Sequence, residues 1–220
     1  MRQNVHVVRR SRGRPQVRPD EETRQLVIEA ARQEFLANGY AGASMVAVAQ
    51  RAGVSTKTMY RLIPTKADLF RSVVSDRISR FMLDIDAAAL DPLPVEDAFE
   101  RLLAAYGTLT LNGETIAIYR LVLGESDRFP EIAATFYEVA IGRTTEAMTS
   151  WLKRLCDRGL IALEDASTAT GMLRGMMIME PQRAAMLGER AAPDAAEIAS
   201  RAKCCARLFL DGCRRQKPTG

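Results

Sequence analysis

Between Ser44 and Phe70 the chain runs SMVAVAQRAGVSTKTMYRLIPTKADLF, and its hydroxyls and cations fall at spacings suited to gripping a polyanion. Ser55, Thr56, Lys57, Thr58, Tyr60 and Arg61 follow a turn at Ala52–Gly53–Val54 and fill the start of a helix that Ser55 can cap. Amides at the helix starts of Ser44 and Ser55 can hold phosphates, and a lysine on such a start can reach a guanine edge or a phosphate. Two short helices joined by a glycine turn form a helix-turn-helix pattern, whose second helix offers its first residues to the major groove. The same pattern also occurs as a plain helical hairpin inside bundles, so spacing alone leaves both readings open. On the DNA reading, Ser44 and Thr56 donate to phosphate or base. Tyr60 gives its hydroxyl to phosphate with its ring packed on the helix pair, and Lys66 meets backbone charge from the start of the next helix.

Other chemistries lack their residues. His6 is the single histidine and lies in a basic tail, so Glu-x-x-His metal pairs cannot form. Cys156, Cys204, Cys205 and Cys213 lack CxxC spacing, and neither a metal nor another cofactor is expected. No GxSxG, phosphate loop or dinucleotide glycine fingerprint is present, so an enzyme is not expected. Cys204, Cys205 and Cys213 admit a thiol redox sensor, against the plainer reading of small apolar residues in a helix.

Charge and pattern place these residues on an architecture. Residues 1–80 hold 15 Lys+Arg against 7 Asp+Glu, a net +8, while the remainder holds 16 against 20, a net −4. A basic N-terminal third on an acidic body points to a polyanion-binding module joined to a different domain, and argues against a nonspecific nucleoid-style binder. Residues 1–18 carry six arginines, no acid, Gly13 and Pro15, which predicts a disordered basic arm. Arg12 and Arg14 are its candidates for the minor groove. The apolar spacing then predicts helices over 20–38, 44–52, 55–62, 66–88, 94–111, 114–125, 130–158, 165–187 and 194–214, with a kink or early end at Pro181. The expected fold is all-α: a three-helix DNA-binding domain over 19–66, a larger helical domain over 67–214, and a tail at 215–220.

Several segments together carry a family resemblance. They are Arg12–Gly13–Arg14–Pro15, Ala30–Ala31…Phe35…Gly39–Tyr40, Val46–Ala47–Val48–Ala49…Ala52–Gly53–Val54–Ser55 and Tyr60…Pro64–Thr65–Lys66…Leu69–Phe70. In this spacing the chain resembles the TetR/AcrR transcriptional regulators over roughly residues 20–70. Further on, Tyr119–Arg120–Leu121–Val122…Glu125–Ser126…Phe129–Pro130–Glu131–Ile132…Phe136–Tyr137 looks like the AefR-type C-terminal subgroup. The resemblance implies about nine helices, a homodimer on double-stranded operator DNA, and repression relieved by a small ligand. Leu62 and Ile63 depart from the family's usual aromatic or His and Phe. Leu62 donates no hydrogen bond, so Arg61 takes over a phosphate contact or that contact is missing.

The larger domain is rich in methionine, which fills irregular space and adapts to varied ligands. Met148 and Met176 are candidate lining for a small apolar effector, with Tyr106, Arg120, Tyr137 and Arg174 as polar handles. Gly171 and Gly175 share a helix face, and the last helix has a broad apolar surface that includes Leu208 and Phe209, so the two C-terminal helices are expected to form the homodimer seam. No apolar run is long enough for a bilayer, and no secretion signal precedes the four thiols, which suggests a cytoplasmic protein without a membrane partner.

Overall fold

The computed structural model describes residues 19–213; the basic arm with Arg12 and Arg14, and the 215–220 tail, lie outside the described residues. Helix α1 (Asp20–Gly42) carries Asp20, Glu21 and Glu22 in its positive first turn. Pro19, not Asp20, holds the capping position, and the Asp20 carboxylate instead reaches Arg61. The helix continues past its expected end through a break at Gly39, whose φ of 69° lies in the left-handed region open chiefly to glycine. Helices α2 (Met45–Arg51), α3 (Thr56–Leu62) and α4 (Lys66–Asp84) are capped by Ser44, Ser55 and Thr65, each accepting from an amide three residues on.

A short turn, α5 (Ala87–Leu90), leads to α6 (Val95–Leu111) and α7 (Gly113–Glu125). The expected single helix over 130–158 is instead α8 (Pro130–Phe136), a π-helical turn (Tyr137–Gly142) and α9 (Arg143–Asp157). Two more helices, α10 (Ala166–Leu187) and α11 (Ala195–Cys213), complete the described chain. Helix α10 runs on past Pro181 rather than stopping there. Proline removes the amide that would bond the carbonyl four residues back, at Met177. Arg201 supplies the substitute: its Nε donates to Met177 O at 2.7 Å and its Nη2 to Met176 O at 2.8 Å.

Two apolar cores result, and their boundary does not fall at residue 66. The first joins α1–α3 and the first half of α4 to Ile118 and Val122 of α7, Ile132 and Phe136 of α8, and Val139. The second packs the end of α4 with α6, α9, α10 and α11 around Phe99, Leu102, Tyr106 and Trp151. Helix α4 contributes Leu69 to Ile78 to one and Phe81 to the other. Among the described residues no helix is long and apolar enough to cross a membrane.

Candidate nucleic-acid interface and cavity

The turn between α2 and α3 depends on Gly53, at φ 67°. Beyond it, Met59 and Leu62 are buried against the first core while Thr56, Lys57, Tyr60 and Arg61 stand exposed. With 3.6 residues per turn, 56 and 60, and 57 and 61, lie one above the other, so the four form one outward face. Tyr60 keeps 49% of its surface exposed. Thr58 is half-buried, its hydroxyl 2.9 Å from Ser55 Oγ, and Ser55 accepts from Thr58 N at 3.1 Å. Ser44 accepts from Ala47 N at 3.4 Å. A capping hydroxyl that accepts keeps its own proton to donate, so Ser44 can serve both cap and anion. Arg61 is held by Asp20 through two bonds of 2.7 Å, which lower the Asp20 carboxyl pKa and raise that of the guanidinium.

Lys66 is spent elsewhere than sequence suggests. Its ammonium donates to Tyr40 O at 2.8 Å, Ala41 O at 3.2 Å and Ala43 O at 3.1 Å, and lies 5.0 Å from the centre of the Tyr40 ring. An ammonium has three protons, and here all three are taken by carbonyls that the broken end of α1 leaves without helical partners. The amides of the same stretch are held from the other side. Glu125, the last residue of α7, accepts from Tyr40 N at 2.8 Å and Ala41 N at 2.7 Å. A Cβ on Gly39 would lie 2.6 Å from Glu125 Oε1, so a side chain there would push that carboxylate aside. Tyr40 donates its hydroxyl to Glu131 at 3.2 Å and packs on Phe35, Phe70 and Phe129. Burial, helped by the Glu131 charge, pushes its phenol up to about 12. Sequence reasoning also missed Glu34, a buried carboxylate on α1 that accepts from Ser44 N at 3.4 Å and faces Arg51 at 3.7 Å, fixing the start of α2.

A small, partly open cavity of about 50 Å³ lies where the two cores meet. Val74 and Ile78 of α4, Ile118 and Tyr119 of α7, and Phe136 close it on one side; Tyr106 of α6 and Arg174 of α10 close it on the other. Ala140, Ile141 and Thr144 bring the π turn into its wall. Two threonines just beyond that turn donate back to its carbonyls: Thr144 Oγ1 to Ala140 O at 2.7 Å and Thr145 Oγ1 to Ile141 O at 2.7 Å. Arg174 Nε donates to Tyr106 Oη at 2.8 Å, and its Nη1 donates to Thr145 Oγ1. Burial raises the Tyr106 phenol pKa against the opposing Arg174 charge, and raises that of Tyr119 to about 12.

Of the six expected effector residues, Tyr106 and Arg174 line this cavity and four do not. Met148 is wholly buried in the second core. Tyr137 faces solvent at 68% exposure, because its neighbour Phe136 takes the inward position on the helix. Arg120 is consumed at the end of α10, donating to Ala185 O and Met186 O. Met176 borders a separate groove between α10 and α11.

The outer face of α10 is open. Met172 and Met179 are 64% and 60% exposed, and Cβ atoms added at Gly171 or Gly175 would meet nothing within 4 Å. On α11, Leu208 is 56% exposed, whereas Phe209 packs inward on Phe99 with ring centres 5.5 Å apart. Leu208 rather than Phe209 is therefore the apolar residue that α11 turns outward.

Comparison with known proteins gives these features a lineage. Residues 27–73 match the family described as bacterial regulatory proteins, tetR family. Residues 97–212, more than half of the chain, match the AefR-like transcriptional repressor C-terminal domain. No curated protein matches the sequence. Among solved structures, a TetR-family transcriptional regulator from Mesorhizobium loti is 26% identical, with 90% of this chain and 100% of that one covered at a TM-score of 0.77. The flavonoid-responsive regulator FrrA is 25% identical, with coverage of 90% and 100% and a TM-score of 0.70. The fatty acid degradation regulator FadR from Bacillus halodurans, 22% identical over 86% of this chain and 98% of its own at a TM-score of 0.69, shares the fold. With one domain family covering the helix-turn-helix and another covering α6 to α11, the chain belongs to the TetR family of DNA-binding bacterial transcription regulators.

Proposed function

We propose that the protein is a cytoplasmic repressor that binds operator DNA as a homodimer and leaves it when a small, largely apolar effector enters the cavity. The observation that carries this reading is the position of the cavity: its wall includes members of the core that holds the reading helices and of the core that holds the C-terminal helices. A ligand that swells it must shift one core against the other. FrrA, a relative by fold and family, is named for its response to flavonoids, which fits release by a small organic molecule.

On this reading Lys57, Thr56 and Tyr60 address the groove, Ser44, Ser55 and Thr58 lend hydroxyls to phosphate, and Arg61 exchanges Asp20 for a phosphate. Arg12 and Arg14 reach the minor groove from the arm. Residues 19–66 act as the reading module and 67–214 as the effector and dimer module, even though their cores interlock. The outward faces of α10 and α11 pair two copies, which sets two reading helices about one turn of B-DNA apart.

The test is a fluorescence-anisotropy titration of the full chain on DNA flanking its own coding sequence, repeated on random DNA and with a panel of small apolar compounds. The expected result is site-specific binding by a dimer that one or more of the compounds weakens. Equal affinity for both DNAs would overturn the operator reading; an operator complex insensitive to every compound would overturn the effector reading.

A further inference from the structure

The cavity lining is largely apolar, and the charge in it is uneven. Its lining includes two guanidinium groups, Arg77 and Arg174, and no carboxylate. Arg77 is neutralised by Glu114 at 2.7 Å. Arg174 is half-buried and bonded only to hydroxyls, those of Tyr106 and Thr145, with no ion pair among the described residues. A cation withdrawn from water without a counter-charge is costly, and the cost falls when an anion is placed beside it.

The donors left over converge on the same space. Arg174 Nη2 makes no hydrogen bond among the described residues. Tyr106 accepts from Arg174 and so keeps its phenolic proton to give. Tyr119, also in the lining, has a hydroxyl without a protein partner among the described residues, and burial keeps it protonated well above neutral pH.

We propose that the effector is an amphiphile with a single anionic head, a carboxylate, seated on Arg174 with Tyr106 and Tyr119, and a slender apolar tail among Ile118, Phe136 and Ile141. This rests on the effector reading above and adds the chemistry of the ligand. The tail must be slender because about 50 Å³ holds no more than a few water molecules, at roughly 10–15 Å³ each. The wall has to part to admit it, and the π turn between α8 and α9, where the α-helical register is broken, forms part of that wall.

The test compares straight-chain alkanoates (hexanoate, octanoate, decanoate and dodecanoate) with the alkanamides of equal length, by calorimetry on the full chain and by release of the operator complex. An amide keeps the shape of the acid and lacks its charge. The expected result is that at least one alkanoate binds about tenfold or more tightly than its amide, the difference a charge-assisted pair makes. Arg174→Met should abolish that preference and Arg174→Lys should keep part of it, with circular dichroism confirming both folds. Amides that bind as well as acids, an unchanged preference in Arg174→Met, or no alkanoate binding at all would each overturn the anionic-head assignment. Operator release by the amides, or by any neutral compound, with no alkanoate preferred over its amide would leave the effector reading standing while this one falls; an operator complex that ignores both series and every other compound would remove both.

Discussion

Lys57 and Lys66 are both lysines near helix starts, and the structure gives them opposite employment. Lys57 stands exposed on the outward face of α3, whereas Lys66 has all three protons on backbone carbonyls. Lys57→Ala should cost about 1–3 kcal/mol of operator affinity and lower the salt slope by about one, and Tyr60→Phe should weaken binding without unfolding. Lys66→Ala should instead lose ~2 kcal/mol of folding stability and leave the salt slope intact. Anisotropy at several salt concentrations, beside urea denaturation, separates the two. Residue types and spacing made α3 legible because its chemistry faces out; the role of Lys66 was hidden because its partners exist only once Gly39 breaks α1 at a φ that no sequence pattern displays. The tyrosines give a pH test. Tyr40 and Tyr119 move from the ordinary 10.0 to about 12, so the folded chain holds these protons more tightly than the unfolded one. Their contribution to stability is complete below pH 10 and disappears as pH rises through about 12. Phenolate absorbance followed during alkaline denaturation should show both rings ionising late, together with unfolding.

At the scale of elements the decisive joint is between α7 and α1. Glu125 grips the amides of Tyr40 and Ala41 while Lys66 grips the carbonyls beside them, so a movement of α7 reaches both the helix that backs the reading pair and the start of α4. Helix α4 is a second link between the cores, since Phe81 and Met82 near its far end join the second core. Glu125→Gln should cost ~2 kcal/mol of stability, speed hydrogen exchange at the Tyr40 and Ala41 amides, and weaken operator binding with no change in salt slope. Unchanged exchange at both amides would exclude the joint. Helix existence was legible from apolar period and caps, as at Ser44, Ser55 and Thr65. The π turn was not, because one extra residue in a turn leaves the apolar pattern on either side intact. The passage of α10 through Pro181 was not legible either, because the group that replaces the lost amide, Arg201, comes from a different helix.

For the whole molecule, the proposed dimer seam is drawn from what the fold leaves uncovered. Met172, Gly175 and Met179 lie at spacings of three and four on the outer face of α10, and Leu208 stands out from α11. A glutamate at 208 would put a charge into an apolar seam without disturbing the inner packing. Leu208→Glu should therefore yield a folded monomer at concentrations where the wild type is dimeric, seen by light scattering, and operator affinity should fall because one half-site is lost. The same substitution at Phe209 would strike the Phe99 contact and confuse dissociation with unfolding.

The π turn also bears on heredity. Deleting a residue from an ordinary helix rotates everything beyond it by about 100° and would turn one buried face to water. Between Tyr137 and Gly142 the surplus residue is already absorbed, with Ile132 and Phe136 anchored in one core before it and Met148 and Trp151 in the other after it. Loss of a single codon there, such as the one for Ala140, should restore an α-helical turn, leave both flanks facing inward, and close the cavity wall. On the effector reading proposed above, the deleted chain should melt near the wild-type temperature and bind operator, yet no longer answer to the effector: one in-frame deletion would turn the proposed conditional switch into a permanent one.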